Sequence, residues 1–175
     1  LYDIDGTALN ICKTIIEMKY AAQIAPQNII TGDFLDKNIR LPENSAVISN
    51  PPYFKITKIE GSWEITPNIT ESREFYSAIM EKILDESRFS VVITPFGFIS
   101  GRKFKYLREK MAHRSGFIVS FDNVPANVFN GRKHGIFNTN TSNSVRAAIT
   151  VSENKPGFSG YRVSPLIRFK ASERN

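Results

Sequence analysis

Cysteine and histidine are scarce in this chain, and long apolar runs are missing. Of the 175 residues one is cysteine, Cys12, and two are histidines, His113 and His134. A single thiol excludes an internal disulfide, and these three side chains lack the spacing of zinc ligands. No apolar run approaches the roughly 20 residues of a transmembrane helix, and no basic-then-apolar signal segment is present. The sequence therefore predicts a cytoplasmic protein without metal, with Cys12 as a buried thiol on an amphipathic helix.

Basic residues outnumber acidic ones, and apolar residues are numerous enough for a core. The 23 Lys and Arg residues against 17 Asp and Glu give a formal net charge of +6, and 41% of the residues are hydrophobic. A polyanionic partner suits this charge, although many proteins of similar charge never bind nucleic acid. The length suits one ordinary domain.

The apolar patterns along the chain predict strands that alternate with helices. The predicted helices cover about 7–23, 70–86 and 102–114. Residues 1–6 are predicted to be the end of a strand entering a turn, and further predicted strands cover 28–31, 46–49, 91–93, 117–121 and 145–151. The last two strands follow each other without a helix, so we expect an α/β fold whose sheet is mostly parallel, with an antiparallel pair at one edge.

The most specific motif of the chain is Asn50-Pro51-Pro52-Tyr53, which directly follows the predicted strand 46–49. Proline fixes φ and offers no N–H, so the turn can present the side-chain oxygen of Asn50 and the carbonyl of Pro51 as acceptors. Two acceptors aimed at the hydrogens of an aromatic amine localise its lone pair, and the Tyr53 ring can stack on the base. A Pro-Pro turn that simply ends a strand is the competing interpretation.

This turn resembles the catalytic motif of the adenine-N6 DNA methyltransferases, and the resemblance extends over about residues 2–151. It implies a Rossmann-like, S-adenosylmethionine-dependent fold with Asn50, Pro51, Pro52 and Tyr53 as catalytic residues. The implied reaction transfers a methyl group from S-adenosylmethionine to N6 of an adenine that is flipped out of duplex DNA. By analogy with the family's architecture, the chain belongs to a bacterial restriction-modification system, with a restriction or specificity subunit or domain as a further partner.

Two earlier strand exits resemble the cofactor-binding segments of that family. Asp3-Ile4-Asp5 resembles the segment that holds the ribose of S-adenosylmethionine, which makes Asp3 and Ile4 candidate contacts. Gly32-Asp33-Phe34-Leu35 resembles the segment whose carboxylate accepts from the cofactor's adenine amine, with the ring of Phe34 on the adenine face. Ligands of open α/β sheets bind at such exits. Ordinary turn aspartates and a core phenylalanine are the competing interpretations.

The resemblance also implies a pocket for the target base and a surface for DNA. The segment after strand 91–93 makes Phe98 a candidate wall of that pocket, and Phe129 is the candidate second aromatic, with Phe137 as its competitor. Phosphate contacts are expected from Arg102, Lys103, Arg132 and Lys133. Core packing of the phenylalanines and a solvated face of the basic helix are the alternatives.

One part of the family's pattern has no match, namely the aromatic-x-Gly-x-Gly loop that seats the methionine end of the cofactor. In that family the strand before this loop lies between the strands that here end at Asp3 and Ser49, so its absence would leave two unpaired edges. We therefore expect a fold that is incomplete at the N-terminus and inactive alone. Residues 1–155 would be a partial methyltransferase catalytic domain, and residues 156–175 an extension toward a missing C-terminal region.

Two other functions stay open. Asn-Pro-Pro-Tyr also occurs in enzymes that methylate a protein glutamine or an RNA guanine amine, because these groups share the planar amine that the acceptors orient. A non-catalytic α/β module that binds DNA or another subunit would explain the basic charge without an active pocket.

Overall fold

Backbone contacts divide the chain into two units, each with its own sheet. The computed structural model describes residues 1–59, 61–123, 146–157 and 159–168. Unit 1 comprises residues 1–40 and 58–64, and unit 2 comprises residues 41–57 and 65–175.

Unit 1 is built on two short parallel strands connected by a helix. The elements are β1 (Tyr2–Asp3), α1 (Gly6–Tyr20) and β2 (Ile30–Thr31), and the register sets Asp3 opposite Thr31. Asp5 begins α1 because its carboxylate accepts from two N–H groups of the first turn. Ala21, in the left-handed conformation with a φ of 50°, ends it. The predicted helix is confirmed, although it ends three residues earlier than expected.

The apolar stripe of α1 is exposed, which corrects the prediction for Cys12. Leu9 is the buried residue of the helix, whereas Ile11, Ile15 and Met18 are 56%, 57% and 80% exposed. Cys12 is also exposed, so the prediction of a buried thiol is wrong. An apolar period of 3.6 residues indicates a face suited to packing, but it does not reveal whether a partner covers that face.

Unit 2 contains a mixed sheet. Its strands are β3 (Ala46–Ser49), β4 (Phe89–Pro95), β5 (Ser115–Asn123), β6 (Ala147–Glu153), β7 (Gly160–Val163) and β8 (Ile167–Arg168). The strand order is β3-β4-β6-β5-β7, and β8 also pairs with β5. β3 is parallel to β4, and β7 and β8 are parallel to β5, whereas β6 is antiparallel to both β4 and β5.

The prediction of a mostly parallel sheet with an antiparallel pair at its edge is wrong. β6 lies inside the sheet, where residues 147–153 pair with 89–95 on one side and 115–121 on the other. The residues that were predicted to form a C-terminal extension supply β7 and β8, which pair with β5. The antiparallel pair of β5 and β6 therefore does not lie at the edge of the sheet. The α/β class is confirmed, and the finer assignment to a Rossmann-like fold stays a prediction.

Helices of unit 2 pack on one face of this sheet. They are α2 (Pro67–Ser72), α3 (Phe75–Glu86) and α4 (Lys105–Ala112). The single helix predicted over 70–86 is divided, because Arg73 adopts a left-handed φ of 51° and Thr66 begins the earlier piece. The core joins Met80 of α3 and Leu107 of α4 to Ile118 and Ala148 of the sheet.

The opposite face of the sheet is partly exposed and apolar. The register aligns Ile48, Val91, Val151 and Phe117 in one row across four strands. Ile48, on the edge strand β3, is 89% exposed, and Phe117 is 54% exposed. Sheets with parallel strands usually have both faces covered. Here, no described residues cover this row.

Arg114, which precedes β5, connects the helical layer to the sheet. Its buried guanidinium donates to the carbonyls of Leu84, Ser87 and Arg88 at 2.5, 2.9 and 2.9 Å, and to Ser152 Oγ at 2.9 Å. Burial lowers the pKa of Arg114 from its usual value. The side chain thereby satisfies the carbonyls of Leu84 and Ser87 at the C-terminal end of α3, which have no partner within the helix.

We expect Arg114→Met to lower the free energy of unfolding by about 2 to 4 kcal/mol, because buried carbonyl oxygens lose their donor. Urea unfolding monitored by circular dichroism measures the change. Lys110→Met is the matched control: Lys110 pairs with Asp85 at 2.7 Å on the surface, and such a pair contributes less than about 1 kcal/mol. Equal effects of the two substitutions would contradict the role of Arg114.

Candidate functional site

The Asn-Pro-Pro-Tyr turn lies at the carboxyl end of β3, where the sequence predicts it. Ser49, the last residue of β3, is opposite Val92, so Asn50 follows the ladder directly. Asn50 is exposed, Pro51 is buried and Tyr53 is half-buried. The buried proline fixes the backbone beside an amide that is open to solvent.

The hydroxyl of Tyr53 reaches two acceptors of unit 2. It is within hydrogen-bond distance of Asn50 Oδ1, and it lies 3.0 Å from the carbonyl oxygen of Ile93 in β4. A tyrosine hydroxyl has one proton, so it donates to one of these acceptors at a time. Asn50 Oδ1 can accept twice, so the contact orients the amide and leaves an acceptor position for a ligand amine.

The Tyr53 ring is supported by aromatic residues of the core. It packs edge-on against Tyr76, with ring centroids 6.2 Å apart and an interplanar angle of 84°. Tyr76 in turn lies 5.7 Å from Phe104. Burial raises the pKa of Tyr53 to about 12. At neutral pH the hydroxyl is therefore protonated and able to donate.

Unit 1 brings its two predicted cofactor segments to the same end of one strand pair. Because β1 and β2 are parallel, Asp3 lies opposite Thr31, two residues before Asp33. Asp3 is exposed, and its Oδ1 accepts from the N–H of Asp5 at 2.9 Å. This is the turn contact that the competing interpretation expects, and it leaves acceptor capacity on the carboxylate.

The carboxylate of Asp33 is held by two donors. Oδ1 accepts from the N–H of Leu35 at 2.9 Å, and Oδ2 accepts from the indole N–H of Trp63 at 2.5 Å. The half-buried ring of Phe34 packs edge-on against Tyr2 at 5.9 Å. Ile4 is 75% exposed. These side chains can offer oxygen acceptors and apolar surface to a polar ligand with a flat ring.

The structure places Phe98 in the core, with no exposed surface. Its neighbours there are core residues of α3 and α4. A ring with no exposed surface cannot touch a base in this conformation, so the predicted pocket contact of Phe98 has no support here. Its segment is anchored by Arg108, which donates to the carbonyls of Phe98 and Gly101 at 2.9 and 2.7 Å.

Most basic residues around α4 have partners within the protein. Lys103 forms an ion pair with Glu74, and its ammonium group lies 5.0 Å from the centroid of the Phe104 ring. Arg102 is exposed. Of the four residues expected to contact phosphate, Arg102 and Lys103 are described, and the charge of Lys103 is balanced by Glu74. Phe129, Phe137, Arg132 and Lys133 lie outside the described residues.

The described part of the chain lacks metal-binding clusters and membrane-spanning helices. It contains no group of three or more His, Cys, Asp or Glu side chains arranged to hold a metal ion. No described helix is both long and apolar enough to cross a membrane.

Comparison with known proteins gives no family for this chain. No protein-family model matches it, and no curated protein sequence matches it.

Sequence patterns did not single out two contacts that now define the candidate sites. Trp63 contacts Asp33 across 30 positions, and Tyr53 contacts Ile93 across 40. No local sequence pattern predicts contacts between residues so far apart. The contacts arise from the bridge between Asp36 and Trp63 and from the register of β3 with β4. Residues 54–68 carry Gly61, Pro67 and no clear apolar period, which predicts a long loop, and loops of that length often carry functional residues.

The raised pKa of Tyr53 predicts a loss of stability in alkali. Below pH 10 the hydroxyl is protonated in both the folded and the unfolded chain, so its contribution is fully present. Between pH 10 and about 12 the unfolded chain ionises first, so the free energy of unfolding falls as the pH rises. We expect a smaller fall for Tyr53→Phe in urea unfolding measured from pH 9 to 12. Tyr106→Phe, on the surface of α4, is the control; identical curves for Tyr53→Phe and wild type would contradict the prediction.

Proposed function

We propose that this chain is the catalytic part of an adenine-N6 DNA methyltransferase that uses S-adenosylmethionine, within a restriction-modification system. The observation that carries the proposal is the Asn50 amide, which is exposed at the end of β3 and oriented by Tyr53. An oriented amide oxygen beside a proline carbonyl is suited to an aromatic amine that must be held by its two hydrogens.

The residues of the turn would act by orientation. Asn50 Oδ1 and the Pro51 carbonyl would accept from the two hydrogens of the N6 amine, which localises the nitrogen lone pair. The Tyr53 hydroxyl would continue to donate to Asn50 Oδ1, which keeps a second acceptor position for the amine, while the Tyr53 ring stacks on the base. A strong general base is not required, because the methylated amine is acidic enough to lose its proton to solvent. Fixed geometry of this kind lowers the barrier mainly through pre-set acceptors.

The residues of unit 1 fit the adenosine end of the proposed cofactor. Asp3 would accept from the ribose hydroxyls, and Asp33 from the adenine amine, with Ile4 and Phe34 as apolar contacts. Their carboxylates lie at the end of parallel strands, which is the usual position for such ligands. When bound, S-adenosylmethionine supplies an electrophilic methyl group on its sulfonium. The described residues contain no glycine-rich loop for its methionine end.

A free strand edge supports the proposal that a further segment completes the enzyme. Among the described residues, β3 pairs with β4 alone, and β1 with β2 alone. Exposed edges and uncovered apolar rows are unfavourable in a finished protein, because they promote association. We propose that a segment carrying the aromatic-x-Gly-x-Gly loop adds a strand at the free edge of β3.

Asn50→Ala tests the catalytic assignment in the protein extended upstream to include this segment. We expect methyl transfer to duplex DNA to fall by at least about 100-fold, as when an oriented group that stabilises a transition state is removed. DNA binding, measured by fluorescence anisotropy, should change little. Asn10→Ala on the exposed side of α1 is the control, with transfer expected at the wild-type rate. Unchanged methylation by Asn50→Ala would overturn the assignment.

The proposal of a missing segment has its own test. The 175-residue chain and the extended chain are compared for transfer of a labelled methyl group from S-adenosylmethionine to duplex DNA. We expect turnover by the extended chain alone, because the methionine end of the cofactor requires the added loop. Turnover by the 175-residue chain would contradict the proposal.

A further inference from the structure

Trp63 is a candidate ligand-positioning residue that the proposed function does not include. Its indole N–H donates to Asp33 Oδ2 at 2.5 Å, within unit 1. The contact requires the segment around Trp63 to fold back on the segment that follows β2. An antiparallel bridge pairs Trp63 with Asp36, and the N–H of Lys37 donates to the carbonyl of Ser62 at 2.9 Å.

The two donors on Asp33 fix the orientation of its carboxylate. Leu35 N–H holds Oδ1 at 2.9 Å, and Trp63 holds Oδ2. With one oxygen anchored, the carboxylate could still rotate about that contact; with both anchored, its plane is set. An ionised carboxylate has about four acceptor positions, so about one on each oxygen remains for a ligand.

The remaining acceptor positions favour a ligand with an N–H donor. Asp33 is half-buried, and the half-buried ring of Phe34 follows it. A 6-aminopurine can donate its amine hydrogen to such a carboxylate. A 6-oxopurine presents a carbonyl oxygen at the same position, which would face a second acceptor and leave both groups without a donor.

We propose that Trp63 and Asp33 together form the element of unit 1 that distinguishes 6-aminopurine nucleosides from 6-oxopurine nucleosides. This inference rests on the proposed binding of the cofactor's adenosine end. In it, Trp63 is a positioning residue: its N–H holds the carboxylate in the orientation that meets the amine. Such pre-orientation improves affinity because less freedom is lost on binding.

The experiment titrates the 175-residue chain with adenosine and with inosine. Isothermal calorimetry of the wild-type chain should give an affinity for adenosine at least about tenfold higher than for inosine, since an unpaired buried polar group costs about 1 to 3 kcal/mol. Trp63→Phe keeps an aromatic ring and loses the N–H. We expect it to weaken adenosine binding by about fivefold and to bring the two affinities within about threefold, as expected for the loss of one hydrogen bond of about 1 kcal/mol. Tyr20→Phe, which removes the hydroxyl of an exposed ring on α1, should leave both affinities unchanged.

A second readout comes from the wild-type protein itself. Trp63 is the one tryptophan of the chain, so its fluorescence reports on this site alone. We expect adenosine to change the emission of Trp63 at concentrations at which inosine does not. This measurement does not depend on the folding of a variant.

The outcomes separate the inference from the proposed function. If adenosine binds with a preference over inosine and Trp63→Phe keeps both affinity and preference, the role of Trp63 is overturned while cofactor binding stands. If the wild-type chain binds neither nucleoside, adenosine binding by unit 1 fails, and the role of Trp63 fails with it. Loss of the preference in Trp63→Phe, together with the adenosine-specific change in emission, supports the inference.

Discussion

The hydrogen bonds of the Tyr53 hydroxyl connect the candidate catalytic turn to the sheet. Parallel pairing of β3 with β4 brings the turn beside Ile93, and the core holds the Tyr53 ring against Tyr76. The amide of Asn50 is oriented by the same hydroxyl. Sheet register, aromatic packing and amide geometry are thus coupled through one side chain. If the register of β3 with β4 slipped by one residue, every side chain of β3 would turn to the opposite face of the sheet, and these groups would separate.

Several charged side chains described in unit 2 stabilise the fold. Arg114 is buried among carbonyls, Lys103 pairs with Glu74, and further pairs join Lys110 to Asp85 and Arg146 to Asp122. The net charge of +6 is therefore a weak guide to where DNA would bind. Among the described residues, Asn50 and Asp33 keep acceptor positions for a ligand, and in both of them an aromatic side chain donates to the acceptor group.

Sequence patterns predicted elements better than pairing. The helix at 7–23 and the strands at 46–49, 91–93 and 117–121 correspond to α1, β3, β4 and β5, because their apolar periods are local. The position of β6 inside the sheet was missed, since nothing local indicates that residues 160–168 return beside β5. The break at Arg73 was missed because a left-handed arginine has no sequence signature. For the candidate sites, the turn at Asn50 follows β3 as expected, whereas Trp63 required tertiary contacts.

The central claim is that the oriented amide of Asn50 serves the amine of a DNA adenine. The most direct measurement supplies the extended enzyme with labelled S-adenosylmethionine and with duplex DNA, ribosomal RNA and a glutamine-bearing protein together. The products are then hydrolysed and the labelled compound is identified by mass spectrometry. We expect the label in N6-methyladenine from DNA. Label in methylglutamine or in a methylated guanine, with none in DNA adenine, would contradict the central claim.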